Sequence, residues 1–322
     1  MKTRAVLGID IGGTTTTFGF TDQQGNIFEE RIIPTYAEQH ITQYLPRLYK
    51  AIDEMYEKYK EEIEWVGIGI GAPNANYLRG TIENPPNLKW GGIIPLAQIF
   101  EEKYQKPTVI TNDANAAAIG EMLYGAARGM KNFILLTLGT GLGSGIVVNG
   151  EVVYGHTGFA GEMGHIIVNE EGRVCGDGRR GCLEAYVSVT GIKRTVAKLL
   201  ADYNHIGALS KVSFEELTGE MICQAALQGD KIALEAFEYT GKILGTKLAD
   251  AVLFTSPEAI ILFGGLARAK DFILQPTLRY MEQRMFGPFK GTVKLMLSEL
   301  QDKNAAVLGA SALIWKELEK KK

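Results

Sequence analysis

One pattern occurs twice, and it constrains the fold more than any other feature of the chain. Residues 6–27, VLGIDIGGTTTTFGFTDQQGNI, and residues 134–153, ILLTLGTGLGSGIVVNGEVV, share one layout. Each is an apolar strand, a Gly/Thr turn, a second apolar strand, then a polar turn with Gly into a third strand. The copies begin 128 residues apart in a chain of 322. At roughly 150 residues per domain, this predicts a tandem duplication of an α/β unit, with a cleft between the halves. The chain holds 38 Gly, clustered at strand-to-strand turns, where glycine lets backbone approach a ligand closely.

The segments between the copies support this class. Residues 38–60 carry apolar side chains at three- and four-residue steps (Ile41, Leu45, Leu48, Ile52, Met55, Tyr59), which predicts a helix. Pro46 falls inside that run, so the helix kinks or starts there. WVGIGIGAP (65–73) reads as a buried strand and ENPPNLKWGG (83–92) as a loop. A short helix near 95–103 and a strand at 108–111 follow. Residues 186–250 read as mainly helical, 258–263 as a strand, and 304–320 as a final helix. Strands with helices on their faces make an α/β class.

The turns bear on chemistry. Asp10-Ile11-Gly12-Gly13-Thr14 and Gly139-Thr140-Gly141-Leu142-Gly143 each end a strand. Concave runs of backbone N–H groups bind anions, so both are phosphate-turn candidates. Neither is a dinucleotide fingerprint, because position 144 is Ser and a strand follows rather than a helix; no P-loop sequence occurs either. Asp10 could hold Mg²⁺, which favours carboxylates plus substrate phosphates; its other reading is a residue that caps the turn. A third Gly pair, Gly264-Gly265, follows an apolar strand. Asn112-Asp113 ends the strand TVIT, where a carboxylate can act as a general base or can cap the helix that follows.

Two phosphate turns on duplicated hairpins, with the third Gly pair, resemble the actin, Hsp70 and hexokinase ATPase superfamily. GIDIGGT, the NDAN segment, LGTGLGSG, GEMGH and the CG-x-G-x-x-GCLE run together resemble the ROK family of bacterial sugar kinases and repressors, across essentially the whole chain. The resemblance implies a duplicated actin-like (ribonuclease H-like) ATPase fold. A first domain of 1–115 plus 304–322 and a second of 116–303 are expected. It further implies ATP-dependent phosphorylation of a hexose or N-acylhexosamine. Carried over by motif, Asp113 is the base, and Asn112, Glu162, His165 and Glu184 bind sugar hydroxyls. Asn87, in PPNLKW, is a further contact, because glucokinase-type members have a similar loop. Asp10, Gly12, Gly13, Thr14, Thr140 and Gly141 would serve ATP and its Mg²⁺, and Gly264 and Gly265 would face adenosine. The loop tilts the sugar to glucose, with N-acetylmannosamine, N-acetylglucosamine and fructose as alternatives. A homodimer is the expected assembly.

His165, Cys175, Asp177 and Cys182 have compact metal-ligand spacing. The family pattern is His plus three Cys around a structural zinc, and Asp177 stands where the middle Cys is expected. Asp is a legitimate but harder zinc ligand than thiolate. The other reading is a Gly-rich loop with Cys175 and Cys182 as free thiols. Cys223 reads as core, and His40, His156 and His205 as satisfied or solvated side chains.

Charge and composition exclude other classes. With Lys plus Arg at 34 and Asp plus Glu at 37, the net charge is −3, and the one basic run is Lys320-Lys321-Lys322. That is not the footprint of a nucleic-acid binder. The longest stretch without charge, 132–150, is broken by five Gly and is no membrane span. Three Cys argue against a disulfide scaffold, and MKTRAVLGID is no export signal, so a cytoplasmic protein is expected. Repressors of the family carry a helix-turn-helix before the first strand. Four residues precede AVLGI here, which favours a kinase.

Overall fold

The computed structural model describes residues 1–85, 87–203, 207–300 and 305–320. His205, Pro86, the start of the last helix at 304, and Lys321-Lys322 lie outside the described residues.

The chain folds as two compact units. The first comprises Met1–Gly129, Val152–Ala160 and the chain from Glu299; the second comprises Met130–Glu151 and Gly161–Ser298. In the first, the elements are β1 (Thr3–Ile11), β2 (Thr15–Thr21), β3 (Ile27–Pro34), α1 (Ile41–Tyr59), β4 (Ile63–Gly71), β5 (Ala75–Asn76), β6 (Thr81–Glu83), β7 (Ile93–Ile94), α2 (Leu96–Tyr104), β8 (Thr108–Thr111) and α3 (Asp113–Tyr124). The second opens with β9 (Phe133–Leu138), β10 (Leu142–Val148) and β11 (Glu151–Val152). It continues with α4 (Val189–Asp202), α5 (Gly219–Leu227), α6 (Lys231–Thr255), β12 (Ala259–Phe263), α7 (Asp271–Arg284) and β13 (Lys294–Leu297). The closing helix α8 (Ala305–Lys320) returns to the first unit.

The duplication is visible in the sheets. The first runs β3-β2-β1-β4-β8 and the second β11-β10-β9-β12-β13. In each, a hairpin pairs antiparallel and the next two strands add in parallel on the side of its first strand. Parallel neighbours need helices on the faces, and the core strands are accordingly apolar throughout. The side chains of Ala5, Val6, Leu7 and Ile9 are wholly buried, as are Phe133, Ile134, Leu135 and Leu136.

The helix α8 packs on β1 and β4 because two positions there carry no Cβ. A Cβ at Gly8 would overlap Ser311 and the Val307 carbonyl, and one at Gly69 would overlap the Ala310 carbonyl. The apolar face expected for the closing helix is present: Val307, Ala310 and Ile314 are buried, with Leu308, Ala312 and Trp315.

Two local expectations need correction. The helix α1 does not start at Pro46 but contains it, and starts at Ile41 with His40 as N-cap, whose Nδ1 accepts from the Thr42 N–H. Pro46 costs it one main-chain bond, since proline has no N–H to offer the carbonyl four residues back. The loop expected at 83–92 lies between β6, which ends at Glu83, and β7, which starts at Ile93; with β5 they form a small antiparallel sheet. Residues 116–129 and 152–160, expected with the second half, pack in the first. The helix α3 lies on α8, close enough that a Cβ at Gly120 would sit 3.0 Å from Gly309 Cα. The segment Val152–Ala160 is tied down by Asn76, whose Nδ2 donates to the Thr157 carbonyl at 2.8 Å, and by Tyr77 stacked on Tyr154 at 4.1 Å. Cys223 is half-buried against the core of the second unit, and His156 is exposed. No helix among the described residues is long and apolar enough to cross a membrane.

Candidate active site

The first unit gathers two carboxylates at the ends of the two strands that flank β4. Asp10 lies near the end of β1, and Asp113 opens α3 directly after β8. Gly71, on β4 between those strands, shows how close they are. A Cβ there would stand 3.1 Å from Asp10 Oδ1 and 3.9 Å from Asp113 Cα. Burial, and then the charge of Asp113, push the Asp10 carboxyl from its ordinary 3.8 up to about 7. Loss of water around Asp113 raises its carboxyl too, although the side chain keeps access to solvent and accepts from the Ala114 N–H at 2.8 Å.

The helix-cap reading of Asp113 is settled by its neighbour. Asn112 is the N-cap of α3, with Oδ1 accepting from the Asn115 N–H at 2.7 Å. Asp113 is the first helical residue rather than the N-cap, with its Oδ1 on the first-turn Ala114 N–H. The first Gly turn lies in the same unit. Gly12 donates its N–H to the Thr15 carbonyl at 2.9 Å, and the Thr14 carbonyl accepts from Thr35 at 2.9 Å. The N–H groups of Gly13 and Thr14 have no acceptor among the described residues. Asn87 packs against this turn: its Cβ and carbonyl would each lie 3.2 Å from a Cβ at Gly13.

The second unit repeats the turn with different fittings. Gly139 N–H bonds to the Gly141 carbonyl at 3.0 Å, Leu142 N–H to Glu184 Oε2 at 2.9 Å, and Gly143 N–H to Thr137 Oγ1 at 3.1 Å. In this turn, the N–H groups of Thr140 and Gly141 are the ones without an acceptor among the described residues. Two adjacent free donors in each turn are what an anion-binding concavity requires. Gly264, with φ +98°, follows β12 and comes within 2.9 Å of the Leu138 carbonyl by its Cβ position. Gly265 lies beside Val189 in the same way, at 3.4 Å.

Glu162 and His165 flank one 3₁₀ turn, Met163–His165, and Glu184 sits in another, Leu183–Ala185. An antiparallel bridge between Ile167 and Cys182, with Leu183 N–H on the Ile166 carbonyl at 2.8 Å, holds the two turns together. Ser144 secures the first of them by accepting from the Met163 N–H at 3.1 Å. Neither Ser144 nor the backing residues Thr35, Val189 and Thr190 stand out in the sequence, since each partner lies at least 17 residues away.

Three of the four candidate metal ligands, His165, Asp177 and Cys182, converge, and the cysteines differ from expectation. Cys175 and Cys182 are joined as a disulfide, Cα atoms 5.9 Å apart, and are not free thiols. While so joined, neither sulfur is a thiolate ligand. His165 Nδ1 is buried and makes no hydrogen bond, with Asp177 Oδ2 at 3.1 Å. Donor atoms of His165, Asp177 and Cys182 all lie within 4.8 Å of one another. Once reduced, an imidazole nitrogen, a carboxylate and two sulfurs make a donor set that fits zinc. Asp177 is paired with Arg179, at 2.6 and 2.7 Å, which holds its carboxyl below the usual range.

Comparison with known proteins places this geometry. The sequence matches the ROK family over residues 6–317. It is 33% identical over 318 residues to a glucokinase of Halalkalibacterium halodurans, covering 98% of this chain and 96% of that one. It is 31% identical to a xylose repressor of Caldicellulosiruptor bescii, covering 96% of this chain and 78% of the repressor. Among solved structures, it superposes on a ROK family glucokinase from Streptomyces griseus, crystallised with glucose and AMPPNP. The TM-score is 0.79 at 31% identity, with 96% of this chain and 98% of that chain covered.

Proposed function

The chain belongs to the ROK family and has the duplicated actin-like ATPase fold, and from that premise we propose an ATP-dependent hexose kinase that phosphorylates glucose at its 6-hydroxyl. A fold of this kind hosts more than one activity, so the activity is decided by the site. The observation that carries it is the Asp10–Asp113 pair beside a Gly turn with two unbonded N–H groups.

In this reading Asp113 takes the proton of the 6-hydroxyl as that oxygen attacks the γ-phosphorus, and ADP leaves. Its raised pKa suits the task, because a base is most effective when its pKa approaches the working pH. Phosphoryl transfer asks the protein chiefly to position groups and to stabilise charge. The free N–H pairs of Gly13-Thr14 and Thr140-Gly141 bind phosphate oxygens, with Gly264 and Gly265 toward adenosine. Asp10 is the residue that would hold Mg²⁺. It fits a dication, being a half-buried carboxylate with an anionic neighbour and no cationic partner. The metal would supply charge neutralisation at the phosphates. Asn112 keeps its Nδ2 for a sugar oxygen while its Oδ1 caps α3. Asn87, Glu162, His165 and Glu184 complete the polar set for the other hydroxyls. The glucokinase relatives and the Asn87 loop support glucose over its alternatives.

A coupled ATP-consumption assay over glucose, fructose, N-acetylglucosamine and N-acetylmannosamine tests this. Glucose should give the largest kcat/KM. A tenfold preference for an N-acylhexosamine would reassign the sugar, and no turnover with any of them would remove the kinase.

A further inference from the structure

The second Gly turn is gripped from behind by one short stretch of chain. Glu184 Oε2 accepts from the Leu142 N–H at 2.9 Å, Val189 N–H donates to the Gly139 carbonyl at 2.8 Å, and Thr190 Oγ1 donates to the Thr140 carbonyl at 2.9 Å. The contact is close as well as polar. A Cβ at Gly141 would overlap the Glu184 carboxylate, and Val189 lies against Gly265. Every turn group tied in this way is one that does not bind an anion. The two N–H groups left over, on Thr140 and Gly141, are adjacent.

We propose that Glu184 and Thr190 are positioning residues for the phosphates of the nucleotide, holding the 139–142 turn in its anion-binding conformation. This rests on the reading of that turn as a phosphate site. A Gly-Thr-Gly sequence loses much conformational freedom when ordered. If the turn were free, ATP would have to order it on binding, and affinity would fall by that cost. The grip meets the cost in advance. One oxygen of the Glu184 carboxylate is engaged by the N–H of Leu142, the residue directly after the free donors. The consequence is that a residue assigned to the sugar by its motif also governs the nucleotide.

The test is calorimetric titration of the full chain with Mg·ATP in the absence of sugar, alongside a separate glucose titration. Thr190→Val removes the hydroxyl and keeps the shape, and should raise the ATP Kd about fivefold, the worth of one hydrogen bond. Its glucose Kd should stay within about twofold, and Thr190→Ser should restore ATP binding. Glu184→Ala should raise the ATP Kd about tenfold, whereas Glu184→Gln, which keeps an acceptor for Leu142, should stay near the parent. An ATP Kd unchanged in Thr190→Val, or equally weakened in Thr190→Ser, overturns the proposal. So does a parallel loss of glucose and ATP affinity in Thr190→Val, a residue outside the sugar set. A parent chain that binds no ATP overturns the phosphate reading and this inference together. One that binds ATP normally but phosphorylates no sugar overturns the proposed activity alone, and the Thr190 comparison still decides the grip.

Discussion

The two Gly turns come from one ancestral pattern and are furnished in opposite ways. In the first unit the strand end carries Asp10, and Asp113 lies beside it. The corresponding strand position in the second unit, two residues before the first Gly, is Thr137, whose hydroxyl closes back on the Gly143 N–H. The first turn is backed by main chain, through Thr35 on Thr14. The second is backed by side chains from 42 and 50 residues away, Glu184 and Thr190. Duplication therefore supplies the backbone twice, and each half is then fitted for its own task. The first concentrates negative charge suited to a metal and to proton transfer. The second keeps its carboxylate engaged and leaves neutral donors.

The sharpest way to break that contrast is at the base. Asp113→Asn should lower kcat by about 10²–10⁴ while glucose binding stays close to the parent's, as measured by steady-state kinetics and a direct binding titration. Near-normal turnover would reduce Asp113 to a structural residue of α3.

The paired carboxylates should also mark the stability of the ligand-free protein. Asp10 titrates at about 7 when folded and at 3.8 otherwise. Below 3.8 it is neutral in both states and its contribution is complete. As pH rises toward and through 7, the folded chain must ionise a poorly solvated carboxyl and that contribution is lost. The loss amounts to at most about 4 kcal/mol. Melting temperature without Mg²⁺ should fall from pH 4 to pH 8, and Asp10→Asn should flatten the curve. Parallel curves for parent and variant would show that Asp10 is not strained in this way.

A smaller difference separates the turns themselves. Gly141→Ala displaces the Glu184 carboxylate, so the ATP Kd should rise about tenfold. Gly13→Ala meets Asn87 at 3.2 Å, which yields by a slight shift, and should cost a factor of about three. The reverse order would mean the first turn is the more tightly held.

The least effect is expected at the Cys loop, which the first unit lacks. Prepared with reductant, the protein should carry roughly one zinc per chain, and Asp177→Cys should resist chelators better because thiolate is the softer ligand. Metal-free protein with full activity in chelator would leave the loop to its disulfide.

Much of this was legible in the sequence for a physical reason. Alternating and continuous apolar runs, and Gly at strand ends, report local conformation. The duplicated hairpins, the parallel strands and the face of α8 therefore follow from residues close in the chain. Sites built from neighbours were legible as well, such as Asn112 with Asp113, or His165 with Asp177 by spacing.

What the tertiary structure alone decided is which polar groups satisfy one another. That Asn112 rather than Asp113 caps α3 depended on a hydrogen-bond geometry that either residue type could have made. That 152–160 belongs to the first unit depended on a buried Asn76 and a stacked tyrosine pair. That Thr140 and Gly141 keep their N–H groups, while Gly139, Leu142 and Gly143 do not, depended on acceptors both near and 42 residues distant. Sequence periodicity carries burial, which is a property of one residue and its neighbours. Hydrogen-bond satisfaction is a property of pairs, and the partner is known only when the chain has brought it there.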